Sequence, residues 1–169
     1  RMSGFQLWVN LPAKYKMVPP KYQDIPAANI PEIVSQGCRV RVIRGTYENT
    51  TGPAESLMPV RVLDTTLQPE ANWLIEPAKD NTFFFCIYDG SINALNSNET
   101  MQEISAPSII TFSGKGQVEI CAKETGAGVL YCEGTPLNEP VARYGPFVMN
   151  TQAEIKQAVD DYNSGVLAT

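Results

Sequence analysis

No histidine occurs among the 169 residues of the chain. That absence removes the commonest general base at neutral pH and the commonest ligand of catalytic zinc, iron and copper. A Ser-His-Asp triad and a histidine-based metal centre made by this chain alone are therefore excluded, while carboxylates and thiols remain. Cysteine is scarce, and Cys38, Cys86, Cys121 and Cys132 stand far apart without CxxC spacing. They read as reduced, mostly buried thiols of an intracellular protein. Positive charge is also thin: 13 Lys and Arg face 18 Asp and Glu, for a net charge of −5. The densest basic stretch, "CRVRVIRG", puts Arg39 and Arg41 on one strand face with Arg44 at its end. Three cations are too few for phosphate-driven binding of nucleic acid. No apolar run approaches the roughly 18–20 residues of a membrane-crossing helix. Cytoplasmic residence is expected, or nuclear residence in a eukaryote.

What is present points to a folded β-rich domain. Apolar residues make up 43% and charged residues 18%, the balance of a chain that buries a core. The opening stretch "GFQLWVNLPAKYKM" alternates at strand spacing, with Phe5, Leu7 and Val9 on one face and Gln6, Trp8 and Asn10 on the other. Such a strand wants a partner, so Phe5–Asn10 is expected to pair with a second copy, to fold back, or to lack order. From Tyr15 to Ile33, Pro19, Pro20, Pro26 and Pro31 predict an extended, wrapping segment. Short strands follow. "CRVRVIRG" alternates, and "PVRVLDTTL" sets Arg61, Leu63, Thr65 and Leu67 against Val60, Val62, Asp64 and Thr66. "TFFFCIYDGSINAL" carries the Asp89-Gly90 signal of a hairpin. Further strands are predicted at 108–112, 118–122 and 129–133, separated by the turns "SGKG" and "ETGAG". The spacing suggests a sandwich or a barrel.

One helix is predicted at 151–164. Thr151 can cap it, Glu154 completes a capping box, and Gly165 stands at the C-terminal cap. Ile155, Ala158, Val159 and Tyr162 form a single apolar stripe, best read as core packing.

Three places carry candidate chemistry. "IRGTYENTTG" with "TGPAES" is rich in Gly, Ser and Thr, yet lacks the spacing of a phosphate loop and reads as a surface loop. Cys86, Cys121 and Cys132 with Glu76, Glu119 and Glu133 could converge inside a barrel, although burial for packing is the simpler account of the thiols. Phe83, Phe85 and Ile87 share one face opposite Phe84, Cys86 and Tyr88; if that face lines a cavity, it makes an apolar pocket for a flat aromatic ligand, and otherwise it is core.

"GFQLWVNLPAKYKM" followed by "KYQDIP", and "EGTPLNEPVARYGPFVMNTQAEIKQAV" near the end, resemble motifs of the pirin family over nearly the whole chain. The resemblance implies two cupin β-barrels in tandem. Residues 1–31 would then be the last strand of an N-terminal cupin and the interdomain crossover. Residues 32–169 would be the C-terminal cupin, a jelly-roll-like barrel with the helix packed outside. In the family a non-haem iron is held by three histidines and a glutamate of the first barrel, so no cofactor or metal ligand and no catalytic residue is expected in this chain. The comparable stretch here offers Asn72, Leu74 and Glu76, with Phe83 where a glutamate would stand. The tail "SGVLAT" departs from the longer, basic tail of many members. The resemblance further implies iron-dependent oxygenation of flavonols such as quercetin by the first barrel. As partners it implies the N-terminal cupin, a transcription factor or a metabolic enzyme, with a homodimer through Phe5–Asn10 as a further expectation.

Overall fold

A computed structural model describes residues 4–95, 100–112 and 116–167. The strands are β1 (Glu32–Ser35), β2 (Cys38–Arg44), β3 (Thr46–Tyr47), β4 (Thr50–Thr51), β5 (Val60–Leu67), β6 (Asn72–Ile75), β7 (Thr82–Leu95), β8 (Met101–Ser105), β9 (Ser108–Thr111), β10 (Val118–Gly134), β11 (Ala142–Tyr144) and β12 (Phe147–Met149). One helix, α1 (Gln152–Asn163), follows. Chain contacts divide the molecule into two compact units, Gln23–Pro136 and a second made of the segments up to Tyr22 and from Leu137 onward.

The larger unit is a two-walled barrel, built on two long strands that run through both walls. All its main pairings are antiparallel. In one wall β1, β2, β5, the second half of β10, the first half of β7 and β9 lie side by side. In the other, β6 and the second half of β7 flank the first half of β10, and β8 closes the edge. Asp89-Gly90 is therefore not a hairpin. It lies inside the continuous β7, and "ETGAG" is likewise no turn between strands but an irregularity inside β10, where the register slips between Ala122 and Ala127. Gly90 and Gly126 make this bend possible. Gly90 has φ +63°, and a Cβ there would stand 2.0 Å from the carbonyl oxygen of Gly126, which no side chain tolerates. Of the "SGKG" turn, residues 113–115 lie outside the described residues.

Alternation decides which face is core. On β5 the row Leu63, Thr65 and Leu67 is buried, and it meets Val40, Val42, Trp73, Ile75, Phe85, Ile87, Ile120, Val129 and Tyr131 in one cluster. Outside, Glu32, Arg41 and Asp64 are opposed across β1, β2 and β5, with Arg41 Nη1 3.3 Å from Asp64 Oδ2. Tyr88 crosses Gly128, where a Cβ would be 2.3 Å from its ring, and donates its hydroxyl to Asp64 Oδ1 at 2.7 Å.

In the smaller unit, α1 begins as predicted: Thr151 Oγ1 accepts from the Glu154 N–H, and the Glu154 carboxylate accepts from the Thr151 N–H at 2.7 Å. Ile155 and Ala158 are buried against the β11–β12 hairpin, but Tyr162 is 65% exposed and only edges Phe147, so the apolar stripe is shorter than its sequence suggests. Phe5–Asn10 forms no strand, and Phe5, Leu7, Trp8 and Val9 are exposed. Proline explains the rest of the segment, which holds two 3-10 turns, Ala13–Tyr15 and Ala27–Asn29, and otherwise no regular structure before β1. Lys16 anchors its first part, donating to Asn10 Oδ1 at 2.7 Å and to the Val148 carbonyl at 3.1 Å, while the Ala13 N–H donates to Glu139 Oε2.

Candidate functional site

Phe83, Phe85 and Ile87 are core. Phe85 lies 5.2 Å from the Tyr131 ring, 5.4 Å from Phe112 and 5.9 Å from Trp73, and Phe83 stacks on Phe112. The row is packed on itself, and the two clefts described below are lined by other residues.

The thiols and carboxylates singled out by sequence do not meet. Glu133 points to the inner face, whereas Cys132 beside it points to the other, as does Cys86. Cys86 is opposite Leu130 and Cys132 opposite Phe84, so the two thiols are diagonal neighbours rather than a facing pair. All four cysteines are free. Burial, and next the nearby Cys86, push the Cys132 thiol up to about 12, which leaves it protonated and unreactive. Glu76 and Glu119 are exposed and line different clefts.

The stretch compared with the family's metal-bearing pair lies on β6 and just after it. Asn72 and Leu74 face outward, and the inward positions of β6 are Trp73 and Ile75, each 2% exposed. An iron centre does not fit this interior. Its polar atoms include the Thr65, Tyr47 and Tyr131 hydroxyls, the Trp73 indole N–H, the Cys38 thiol, which donates to the Asn72 carbonyl, and a carboxylate already engaged by protein donors, and among the described residues no three of His, Cys, Asp and Glu converge.

That carboxylate is Glu133, and it organises the first cleft. β5 and β10 are registered so that Glu133 directly opposes Arg61. Its Oε2 accepts from Arg61 Nε at 2.7 Å and from the Tyr131 hydroxyl at 2.9 Å. Its Oε1 accepts from the Ala78 N–H at 2.6 Å and from Asn81 Nδ2 at 2.9 Å. Burial alone would raise this carboxyl, but the hydrogen bonds from Asn81, Ala78 and Tyr131 and the charge of Arg61 outweigh it and hold the group below its ordinary range. Tyr131 is pushed the other way, upward, by burial first and then by the Glu133 charge. Arg61 also stacks over the Tyr131 ring at 5.3 Å and donates through Nη2 to the Glu76 carbonyl at 2.8 Å. In front of this network lies a cleft of about 570 Å³ lined by Arg44, Arg61, Lys79 and Glu76 among others. A register slip between Val42 and Arg44 sets Arg44 opposite Val62 instead of Arg61, so the two guanidinium groups are not directly opposed.

The second cleft, about 480 Å³, uses the other end of β2. It is lined by Cys38, Val40, Tyr47, Trp73, Glu48 and Glu119 among others, with no Lys or Arg. Trp73 Nε1 donates to the Tyr47 hydroxyl at 3.1 Å, and burial raises the Tyr47 hydroxyl above its ordinary value. Tyr47 belongs to the β3–β4 hairpin, so "GTYENTTG", expected as a plain surface loop, supplies a half-buried ring to the barrel. The Arg61–Glu133 pair was not a sequence expectation; the inward phase of Arg61 on β5 was its one available signal.

Residues 62–168 match the pirin C-terminal cupin domain. A Pseudomonas aeruginosa protein named for quercetin 2,3-dioxygenase is 39% identical over 175 residues, covering 99% of this chain and 60% of its own length. Pirin-like protein 2 of Arabidopsis thaliana is 36% identical over 167 residues, 96% of this chain and 52% of its own. The crystal structure of quercetin 2,3-dioxygenase from Acinetobacter baumannii superposes with a TM-score of 0.85 at 34% identity, over 96% of this chain and 56% of that one. The chain thus spans between about half and three-fifths of these relatives.

Proposed function

The chain belongs to the pirin family, as its C-terminal cupin domain, and on that premise we propose that it acts as the metal-free barrel of a two-barrel protein, supporting an iron-bearing N-terminal cupin. The observation that carries this reading is the barrel interior. It is filled by Trp73, Phe83, Phe85 and Tyr131, and the one buried carboxylate among the described residues, Glu133, is held by Arg61, Tyr131, Asn81 and Ala78. A second support is the segment from Phe5 to Tyr22, where Leu7, Trp8, Val9, Met17 and Tyr22 are exposed. Exposed apolar side chains of this density suit contact with another body, here the N-terminal cupin. A transcription factor, a metabolic enzyme or a second copy of the chain are further partners of the same surface. Among the described residues no helix is long and apolar enough to cross a membrane, and the protein is proposed to work in the cytoplasm, or the nucleus of a eukaryote.

The names of the relatives favour a second, compatible reading: the whole protein oxygenates a flavonol such as quercetin, with the iron and the chemistry in the other barrel. Metal analysis tests both. Stoichiometric iron is expected in the two-barrel protein and not in the 169-residue chain, and oxygen-dependent loss of quercetin absorbance only in the former. Tightly bound, stoichiometric iron in the 169-residue chain overturns the supporting role.

A further inference from the structure

We infer that the cleft of Arg44, Arg61 and Lys79 is a binding site for a small anionic metabolite, one that presents a carboxylate or phosphate group. Its volume of about 570 Å³ falls within the range of small-molecule sites, roughly 300–1,000 Å³.

The charge available to a ligand differs from the charge in the lining. Three cations and two carboxylates line the cleft. One of the carboxylates, Glu133, has a side chain only 2% exposed and takes hydrogen bonds from Arg61, Tyr131, Asn81 and the Ala78 N–H. It is neutralised from within and sits behind the guanidinium. What faces an incoming anion is Arg44, Lys79 and the outer edge of Arg61, opposed by Glu76 alone.

The donors are also prepared. Glu133 and the Glu76 carbonyl engage Nε and Nη2 of Arg61, leaving Nη1 without a protein partner among the described residues. A guanidinium already locked by a carboxylate loses little side-chain freedom when it takes a second anion. Arg44 donates through Nη2 to the Ser56 carbonyl at 3.2 Å, while its Nε is buried and has no partner among the described residues. A buried, unsatisfied donor on a charged side chain at a cleft wall is the kind of group that a bound anion would complete. Lys79 is exposed, makes no ion pair or hydrogen bond among the described residues, and stands ready to act as a point charge. The second cleft, lined by Glu48 and Glu119 without a cation, offers none of this.

The test is titration of the 169-residue chain with inorganic phosphate and, separately, with succinate, followed by ¹⁵N NMR of the arginine Nε–Hε signals and by calorimetry. Saturable binding of one of them is expected, with the Arg44 and Arg61 signals shifting together; the arm that saturates at lower concentration assigns phosphate or carboxylate chemistry. In Arg44→Gln with Lys79→Gln, affinity should fall at least about tenfold, the loss of charge-assisted hydrogen bonds. Arg61 is left intact in this variant so that Glu133 keeps its partner, and an unchanged amide spectrum outside the cleft verifies the fold. Absence of saturable binding of both anions, or binding that the double substitution does not weaken, overturns the site.

Discussion

The two clefts share one barrel and one core, yet they use their carboxylates in opposite ways. At the Arg61 end, Glu133 is enclosed and each of its oxygens is engaged by two or more donors, so its charge stabilises the fold and is not offered to solvent. At the Tyr47 end, Glu48 and Glu119 are exposed, and the structural bond is a neutral one, from the Trp73 indole to the Tyr47 hydroxyl. The sign of a cleft is thus set less by which charges line it than by which of them already serve the scaffold. A chain with a net charge of −5 can in this way present cations locally.

Substitutions at each end sharpen the contrast. The largest effect is expected from Arg61→Leu, which leaves Glu133 buried without its cation and should cost about 3–5 kcal/mol in urea unfolding. A loss near zero would mean that Tyr131, Asn81 and the Ala78 N–H suffice, and the two ends would no longer differ. Tyr47→Phe comes next. It strands the indole N–H of Trp73, which is 2% exposed, and should cost about 1–3 kcal/mol, with Glu119→Gln at the same cleft within about 0.5 kcal/mol of the parent. The subtlest effect is in acid. The folded-state value of Glu133 lies below its unfolded one, so its contribution is present above the ordinary carboxylate range and is lost as pH falls through the lower folded value. Stability measured from neutral to acid pH should decline less steeply in Glu133→Gln, and an unchanged slope would show that the carboxylate is not favoured by its network.

Local features of this fold were legible in the sequence, and long-range ones were not. The helix, its cap at Thr151 and its capping box depend on residues within one turn of each other, and they stand where the pattern places them. The strand character of 38–44 and 60–67 was equally plain from alternation. Alternation says nothing about the partner, however. Phe5–Asn10 alternates as well as any strand, yet it is assigned to no strand. Asp89-Gly90 was misread because a positive-φ glycine serves a bend inside a long strand as readily as a two-residue turn. The phase of β6 was not legible for a related reason: a shift of one residue exchanges the two faces, and it is Trp73 and Ile75, not Asn72 and Leu74, that take the inside. The Arg61–Glu133 pair joins residues 72 apart, and only the register of β5 on β10 brings them together.

The bend that carries β7 and β10 from one wall to the other has a mechanical consequence. Both walls are woven from the same two threads, so tearing one wall open pulls on the backbone of the other. Peeling should be confined to the edge strands β1, β6, β8 and β9, while the amides of β7 and β10 exchange with solvent only when the whole weave comes apart.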